Sequence, residues 1–309
     1  GEPQPLFFFW KLRPIPSLCY NWEGIWKMGV HHMVIQLIAF DLDGTTLTQH
    51  KTISQENRRA LEDAARQGIL LVPASGRMKD FLPQEITSLP GVRYVISANG
   101  AGVYDLQTGQ VVWQRLIPNG KAREVQALLD QYDLLVEYYS GGRAITRTGD
   151  PERALSYFGF PEYKLHFLTK DYRYWEDLGE MLASTGLEPE KINLPYLATP
   201  ALRQEVWQRV ESLGGLVLTS SLPDNIEVNA LGADKGHALE ALAQRLGIPR
   251  EKVMALGDNG NDVTMLEYAG VSVCMGDGSD SAKAAAKYLT APHTEDGLAK
   301  AIRKFALKN

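Results

Sequence analysis

The sequence predicts an α/β fold: a Rossmann-like parallel-sheet core with an inserted α+β cap domain. Three observations carry that reading. Short apolar runs alternate with amphipathic helical stretches towards both ends of the chain. Those runs are apolar on consecutive residues, which suits a parallel sheet covered on both faces. The middle of the chain has another texture, with helices followed by paired strands. The expected layout is an N-terminal extension over residues 1–33, a core made of residues 34–116 and 231–309, and a cap made of residues 117–230.

The extension, with "PLFFFWKLRPIPSLCYNWEGIWKMG", is aromatic and proline-rich without a helix or strand period. It makes a poor signal peptide, because "GEPQP" supplies no positive start and "FFFW" is too short an apolar centre. It is expected to lie outside the functional unit, and an arm packing on the body or on another subunit is the alternative. From Ile35 to Thr48 the chain reads "IQLIAFDLDGTTLT", an apolar strand that ends in two acids. A helix follows: Ser54 suits its N-cap, Leu61, Ala64 and Ala65 share a face, and Gly68 suits its stop. "ILLVPASGR" and "VRYVISANGAGVYD" supply a second and a third apolar run.

In the middle segment, the helix "KAREVQALLDQ" precedes an expected hairpin, "LLVEYY" and "RAITR" around "SGG". The helix "ALRQEVWQRVESLG" precedes the strands "LVLTSS" and "NIEVNA", a weak internal echo. The core rhythm then returns. "ADKGHALEALAQRLG" is an amphipathic helix stopped by Gly247, and "VMALGDNGND" is a strand that again ends in acids. "VTMLEYAG" reads as helix, "VSVCM" as strand, and "DSAKAAAK" and "EDGLAKAIRKFALK" as helices.

Composition narrows the function. The 309 residues are 44% hydrophobic and 22% charged, with a net charge of -5. That balance gives no basic surplus for a nucleic-acid backbone, whereas a small phosphorylated substrate needs only a local positive site. Cys19 and Cys274 form neither a disulfide framework nor a metal-spaced cluster, so a reducing, cytoplasmic setting is expected. No apolar run approaches the roughly 20 residues of a membrane-spanning helix.

Ligands of open parallel sheets bind beyond the carboxyl ends of the strands. There this sequence places Asp41 and Asp43, Ser75 and Asp258, with Lys235 at a helix start able to reach the same edge. Three carboxylates, a hydroxyl and an amine suit the joint holding of a divalent cation and a phosphoryl group. Asp41 is a poor nucleophile towards an anionic phosphate, and Mg2+ between them would offset the repulsion. Backbone N–H groups after Asp41 and behind Ser75 could cradle phosphate oxygens, and Lys235 adds charge. Asp43, beside a second acid, could hold and deliver a proton. Singly, "DLDG" and "GDNGND" read as turns, Lys235 as a solvated lysine and Ser75 as a helix cap. "DLDG" does not fit an EF-hand loop. The joint occurrence at strand exits is what favours chemistry.

In that order, "DLDGTTLT", "SGR", "DKG" and "GDNGND" resemble the four motifs of the haloacid dehalogenase-like superfamily. The insertion between the second and third motifs resembles the Cof-type branch, subclass IIB, and the likeness runs from Val34 to the C-terminus. The resemblance implies that Asp41 forms an aspartyl-phosphate. It makes Asp43 the general acid/base and a donor of its main-chain carbonyl to Mg2+. Ser75, Gly76, Lys235 and Asn261 are the implied phosphate-binding residues, and Asp258 and Asp262 complete the metal set. Gly44, Arg77, Asn99 and Gly100 become possible substrate neighbours. Ser75 stands where threonine is commoner in this branch, and "MGDGSD" replaces the usual Met-Gly-Asn-Ala stretch. The acid at position 43 marks phosphatases and phosphomutases within the superfamily. Hydrolysis of a phosphomonoester, a sugar phosphate foremost, is thus the leading expectation. A phosphomutase or a non-catalytic sensor of a phosphorylated metabolite are the rivals, and the oligomeric state stays open. The cap is expected to choose the substrate and to close over the core, with Arg143, Tyr138, Tyr139, His166 and Lys191 able to face the cleft.

Overall fold

A computed structural model describes residues 34–48, 52–162, 165, 168 and 171–307. The expectations placed on residues 1–33, Cys19 and His166 lie outside those residues. The chain enters at β1 (Leu37–Phe40) and makes a small hairpin of β2 (Leu47–Thr48) and β3 (Thr52–Ile53). Next come α1 (Gln55–Arg66), β4 (Leu70–Pro73) and α2 (Gln84–Thr87). Ser54 caps α1 as expected, its side chain accepting from the Asn57 N–H.

The third apolar run is not one strand. It folds back on itself as β5 (Tyr94–Ser97) and β6 (Gly102–Asp105), antiparallel, with β7 (Val111–Gln114) completing a meander. Asn99 and Gly100 make the reversal at φ 59° and 95°, a left-handed geometry that Asn and Gly tolerate. Strand-forming residues on both sides hid this turn in the sequence.

α3 (Asn119–Leu129) leads into β8 (Glu137–Ser140), β9 (Arg143–Arg147), β10 (Arg173–Trp175), α4 (Leu178–Thr185) and β11 (Lys191–Leu194). After α5 (Pro200–Ser212), β12 (Leu216–Thr219) and β13 (Ile226–Ala230) close this segment. The expected hairpin is present as β8 and β9, and the two expected strands β12 and β13 also pair antiparallel, whereas β10, α4 and β11 were not expected. The final stretch is α6 (Lys235–Arg245), β14 (Val253–Gly257), α7 (Val263–Tyr268), β15 (Val271–Cys274), α8 (Asp280–Ala285), β16 (Tyr288–Leu289) and α9 (Gly297–Phe305).

Two main sheets result. The first is parallel throughout, in the order β16-β15-β14-β1-β4, with β1 flanked by β14 and β4. Every residue of β1 is buried, and the strand divides its side chains between two layers. Ile38 and Phe40 pack with Leu61 of α1 and Ile302 of α9. Leu37 and Ala39 pack with Leu239 of α6 and Leu266 of α7. Burial of each such large side chain stabilises by about 1.5–3 kcal/mol, which is why both faces of these strands are apolar.

The second sheet has the order β10-β9-β8-β11-β13-β12. Its two faces differ. Tyr138, Ile192 and Val228 join a core with Val125, Leu129, Val206 and Val210 of α3 and α5. The residues between them, Glu137, Asn193 and Glu227, are paired across neighbouring strands on the opposite face. Among the described residues, no helix is long and apolar enough to cross a membrane.

Candidate active site

The first strand delivers Asp41 to the sheet edge because the ladder continues one residue past it: the Asp41 N–H donates to the Leu256 carbonyl at 2.9 Å. The chain then turns tightly, with the N–H groups of Thr46 and Leu47 donating to the Leu42 carbonyl. Gly44 lies at φ 84°, and a Cβ there would stand 2.5 Å from Asp258 Oδ2. Glycine is thus required for this loop to lie against the exit of β14. Thr46 Oγ1 donates to the Asp41 carbonyl at 2.5 Å, and Thr45 Oγ1 to Asp258 Oδ1 at 2.7 Å. The sequence reading gave these two threonines no role.

Carboxylate oxygens of Asp41, Asp258 and Asp262 lie within 4.8 Å of one another. Burial raises Asp41 well above the usual carboxylate range, and Asp262, Asp258 and Asp43 push it further against the opposing pull of Lys235. Burial and Asp262 likewise push Asp258 up to about 6. Three acids that cannot all ionise cheaply in one place fit a divalent cation, whose charge would relieve the repulsion. Asp43 stands apart from this cluster.

Lys235 begins α6, where Asp234 caps the helix by accepting the His237 N–H. Its ammonium donates to Asp41 Oδ1 at 2.5 Å and to Asp262 Oδ1 at 2.6 Å, fully buried. Burial opposes its charge, but the attraction of Asp262 and Asp41 wins and its pKa rises. The other oxygen of Asp262 accepts the N–H groups of Asp258 and Asn259, at 2.9 and 3.1 Å. Asp262 therefore braces both the lysine and the acidic loop. Gly100 belongs to the same construction: a Cβ there would sit 2.2 Å from the Asp234 main chain.

Asp43 is held differently. Arg77 grips it with two bonds, Nε to Oδ2 at 2.9 Å and Nη2 to Oδ1 at 2.6 Å. An ionised carboxyl in such a fork only accepts. To deliver a proton it has to leave the guanidinium. Ser75 is buried, and its Oγ accepts the Arg77 N–H at 3.1 Å, so it shapes the loop that carries both Gly76 and Arg77.

A cavity of 160 Å³ lies between the two sheets. Asp41, Asp43, Gly44, Gly76, Arg77, Asp258 and Asn261 line it from one side, and Tyr139, Phe160, Lys191, Asn193 and Glu227 from the other. Of the residues expected to face a cleft, Tyr139 and Lys191 do so. Tyr138 does not: it is fully buried against the helices and donates to Gln126. Arg143 is exposed and pairs with Asp80. Asn99 and Gly100 do not line the cavity either. Asn99, in the β5–β6 turn, donates to Glu227 of β13 at 2.9 Å and accepts from Asn261 beyond β14 at 3.2 Å, joining the second sheet to the loop after β14. Lys191 makes a second such link, donating to Glu227 at 2.9 Å and to the Gly76 carbonyl at 2.6 Å. Phe160, Asn193 and Glu227 escaped the sequence reading. For Asn193 and Glu227, the alternation of polar and apolar residues in "KINL" and "IEVNA" was the one available signal.

The sequence pattern of haloacid dehalogenase-like hydrolases matches residues 38–302. A Bacillus subtilis protein named 5-amino-6-(5-phospho-D-ribitylamino)uracil phosphatase YcsE is 31% identical over 277 residues, covering 88% of this chain and 96% of the relative. The Escherichia coli pyridoxal phosphate phosphatase YbhA is 29% identical, with 87% and 98% covered. A solved haloacid dehalogenase-like hydrolase from B. subtilis superposes with a TM-score of 0.74 at 29% identity, covering 87% of this chain and 99% of the other. With the parallel core and the acidic sheet edge already in view, these likenesses lead to one assignment: the chain belongs to the haloacid dehalogenase-like hydrolase family, as a phosphatase.

Proposed function

We propose that the enzyme hydrolyses a small phosphorylated metabolite, a sugar phosphate foremost, through an aspartyl-phosphate on Asp41 with Mg2+ as cofactor. One observation carries the reading: Asp41 stands at the sheet edge with Lys235 2.5 Å from one oxygen, among acids whose oxygens gather within 4.8 Å. A nucleophile, a cation and an ion site meet at one point. Asp41, Asp258 and the Asp43 main-chain carbonyl would hold Mg2+, with Asp262 bracing them. Bound there, the ion supplies the charge that lets an anionic carboxylate approach an anionic phosphoryl group.

The chain's own residues do the rest. Lys235 and Asn261, with the backbone N–H groups of the Gly44 and Gly76 loops, bind and orient the phosphoryl oxygens, and Ser75 fixes the second loop. Lys235 matters most as charge grows on those oxygens. Asp43, released from Arg77, gives its proton to the departing oxygen and later takes one from the attacking water. The relatives' names cover a ribityl-uracil phosphate and pyridoxal phosphate, which supports a small metabolite more than any single compound. A reducing, cytoplasmic setting belongs to the same proposal, supported by a Cys274 that is buried and free.

The test is phosphate release from 4-nitrophenyl phosphate with and without Mg2+, beside Asp41→Asn. Metal-dependent release that the variant loses by at least a thousandfold is expected. An isomerised sugar phosphate without free phosphate would identify a phosphomutase instead, and tight binding without turnover a sensor.

A further inference from the structure

The polar row across the second sheet has no part in the chemistry above. Glu137, Asn193 and Glu227 stand directly opposite one another on β8, β11 and β13, with Tyr139 and Lys191 paired in the next row. Glu137, Asn193 and Glu227 are 1%, 7% and 4% exposed. Burying such groups costs free energy that apolar residues of similar size would not cost, so the row calls for a purpose other than stability. Asn193 Nδ2 donates to Glu137 Oε2 at 2.6 Å, and Glu137 also accepts from Tyr172. Glu137 accepts at both of its oxygens, and the bond from Nδ2 sets which way the Asn193 amide lies. The other end, Asn193 Oδ1, is buried and has no partner among the described residues, although Asn193 lines the cavity. Among the described residues, the cation that lines the cavity from this sheet, Lys191, is engaged with Glu227.

We propose that Asn193 Oδ1 is a specificity-determining acceptor in a subsite for the organic part of the substrate. The subsite takes uncharged, hydroxyl-bearing groups and rejects a second anion. Glu137 is the positioning residue behind it. The inference rests on the phosphatase reading. A hydroxyl donated to Asn193 satisfies its buried acceptor, whereas a carboxylate there would face Asn193 Oδ1 and Glu227, with Lys191 already paired to Glu227.

The experiment compares kcat/KM, with Mg2+, for glucitol 6-phosphate and 6-phosphogluconate, which differ by a hydroxymethyl against a carboxylate, and for 4-nitrophenyl phosphate. The wild-type enzyme is expected to favour glucitol 6-phosphate over 6-phosphogluconate at least tenfold. Asn193→Leu should lose at least tenfold more on glucitol 6-phosphate than on the aryl phosphate. Glu137→Gln should raise KM for glucitol 6-phosphate with little change in kcat, a split that general loosening would not produce. The wild-type ratio needs no variant and decides the matter even where Asn193→Leu fails to fold. Equal use of the two sugar-derived phosphates, with aryl phosphate turnover intact, overturns the subsite and leaves the phosphatase reading standing. Absence of release from all three overturns that reading, and the subsite with it.

Discussion

Lys235 is the residue on which the site balances. It is the buried cation among Asp41 and Asp262, and two short bonds tie it to them. Lys235→Met is expected to lower kcat by at least 10²–10³-fold, the usual cost of losing a donor aimed at growing charge. It should also reduce stability by about 3–5 kcal/mol in metal-free solution, because two acids are left facing each other. Urea melts with and without Mg2+ check this, and an unchanged midpoint in chelator would contradict it. Single residues also show where sequence reasoning works. Asp41 and Asp258 were legible because each follows its own apolar strand. The Arg77 grip on Asp43 and the Lys191 bond to Gly76 were not, since partners 34 and 115 residues apart are chosen by the fold.

At the level of elements, the start of α6 aims the lysine. Its second residue, Gly236, lies against α7, and a Cβ there would stand 2.5 Å from the Thr264 carbonyl. Backbone cannot yield as a side-chain tip can, so Gly236→Ala must shift the helix. A loss of about 1–3 kcal/mol is expected, with kcat falling more than KM rises, because Lys235 moves while the far wall of the cavity stays. Thermal melts and steady-state kinetics together test this, and a variant with wild-type kcat would refute it. The parallel strands were readable from their unbroken apolar runs. The β5–β6 reversal was not, because "ANG" sits between two strand-like stretches and its left-handed backbone shows only in three dimensions.

For the molecule as a whole, Glu190 connects stability to pH. Its main chain donates to Tyr139 and accepts from Asn229, while its side chain accepts from Tyr104 of the parallel core's meander. Burial pushes its carboxyl from 4.5 up to about 7. The folded protein thus holds a proton that the unfolded chain has lost. Stability from this group is full below about pH 4.5 and is lost as pH rises towards 7, by an amount on the order of 3 kcal/mol. Glu190→Gln should flatten that decline between pH 5 and pH 8 in denaturant titrations, and parallel curves for the two proteins would exclude it. Such a junction was invisible in sequence, where Glu190 is one acid in "LEPEK". The two-faced strands of the second sheet bear on descent as well. Positions 193 and 227 line the cleft with 137 beside them on the same face, while 138, 192 and 228 face the helices. Mutation at position 193 can therefore alter what a lineage accepts without touching the helix-facing residues that hold its scaffold together, and new preferences can arise by small inherited steps on a framework that stays the same.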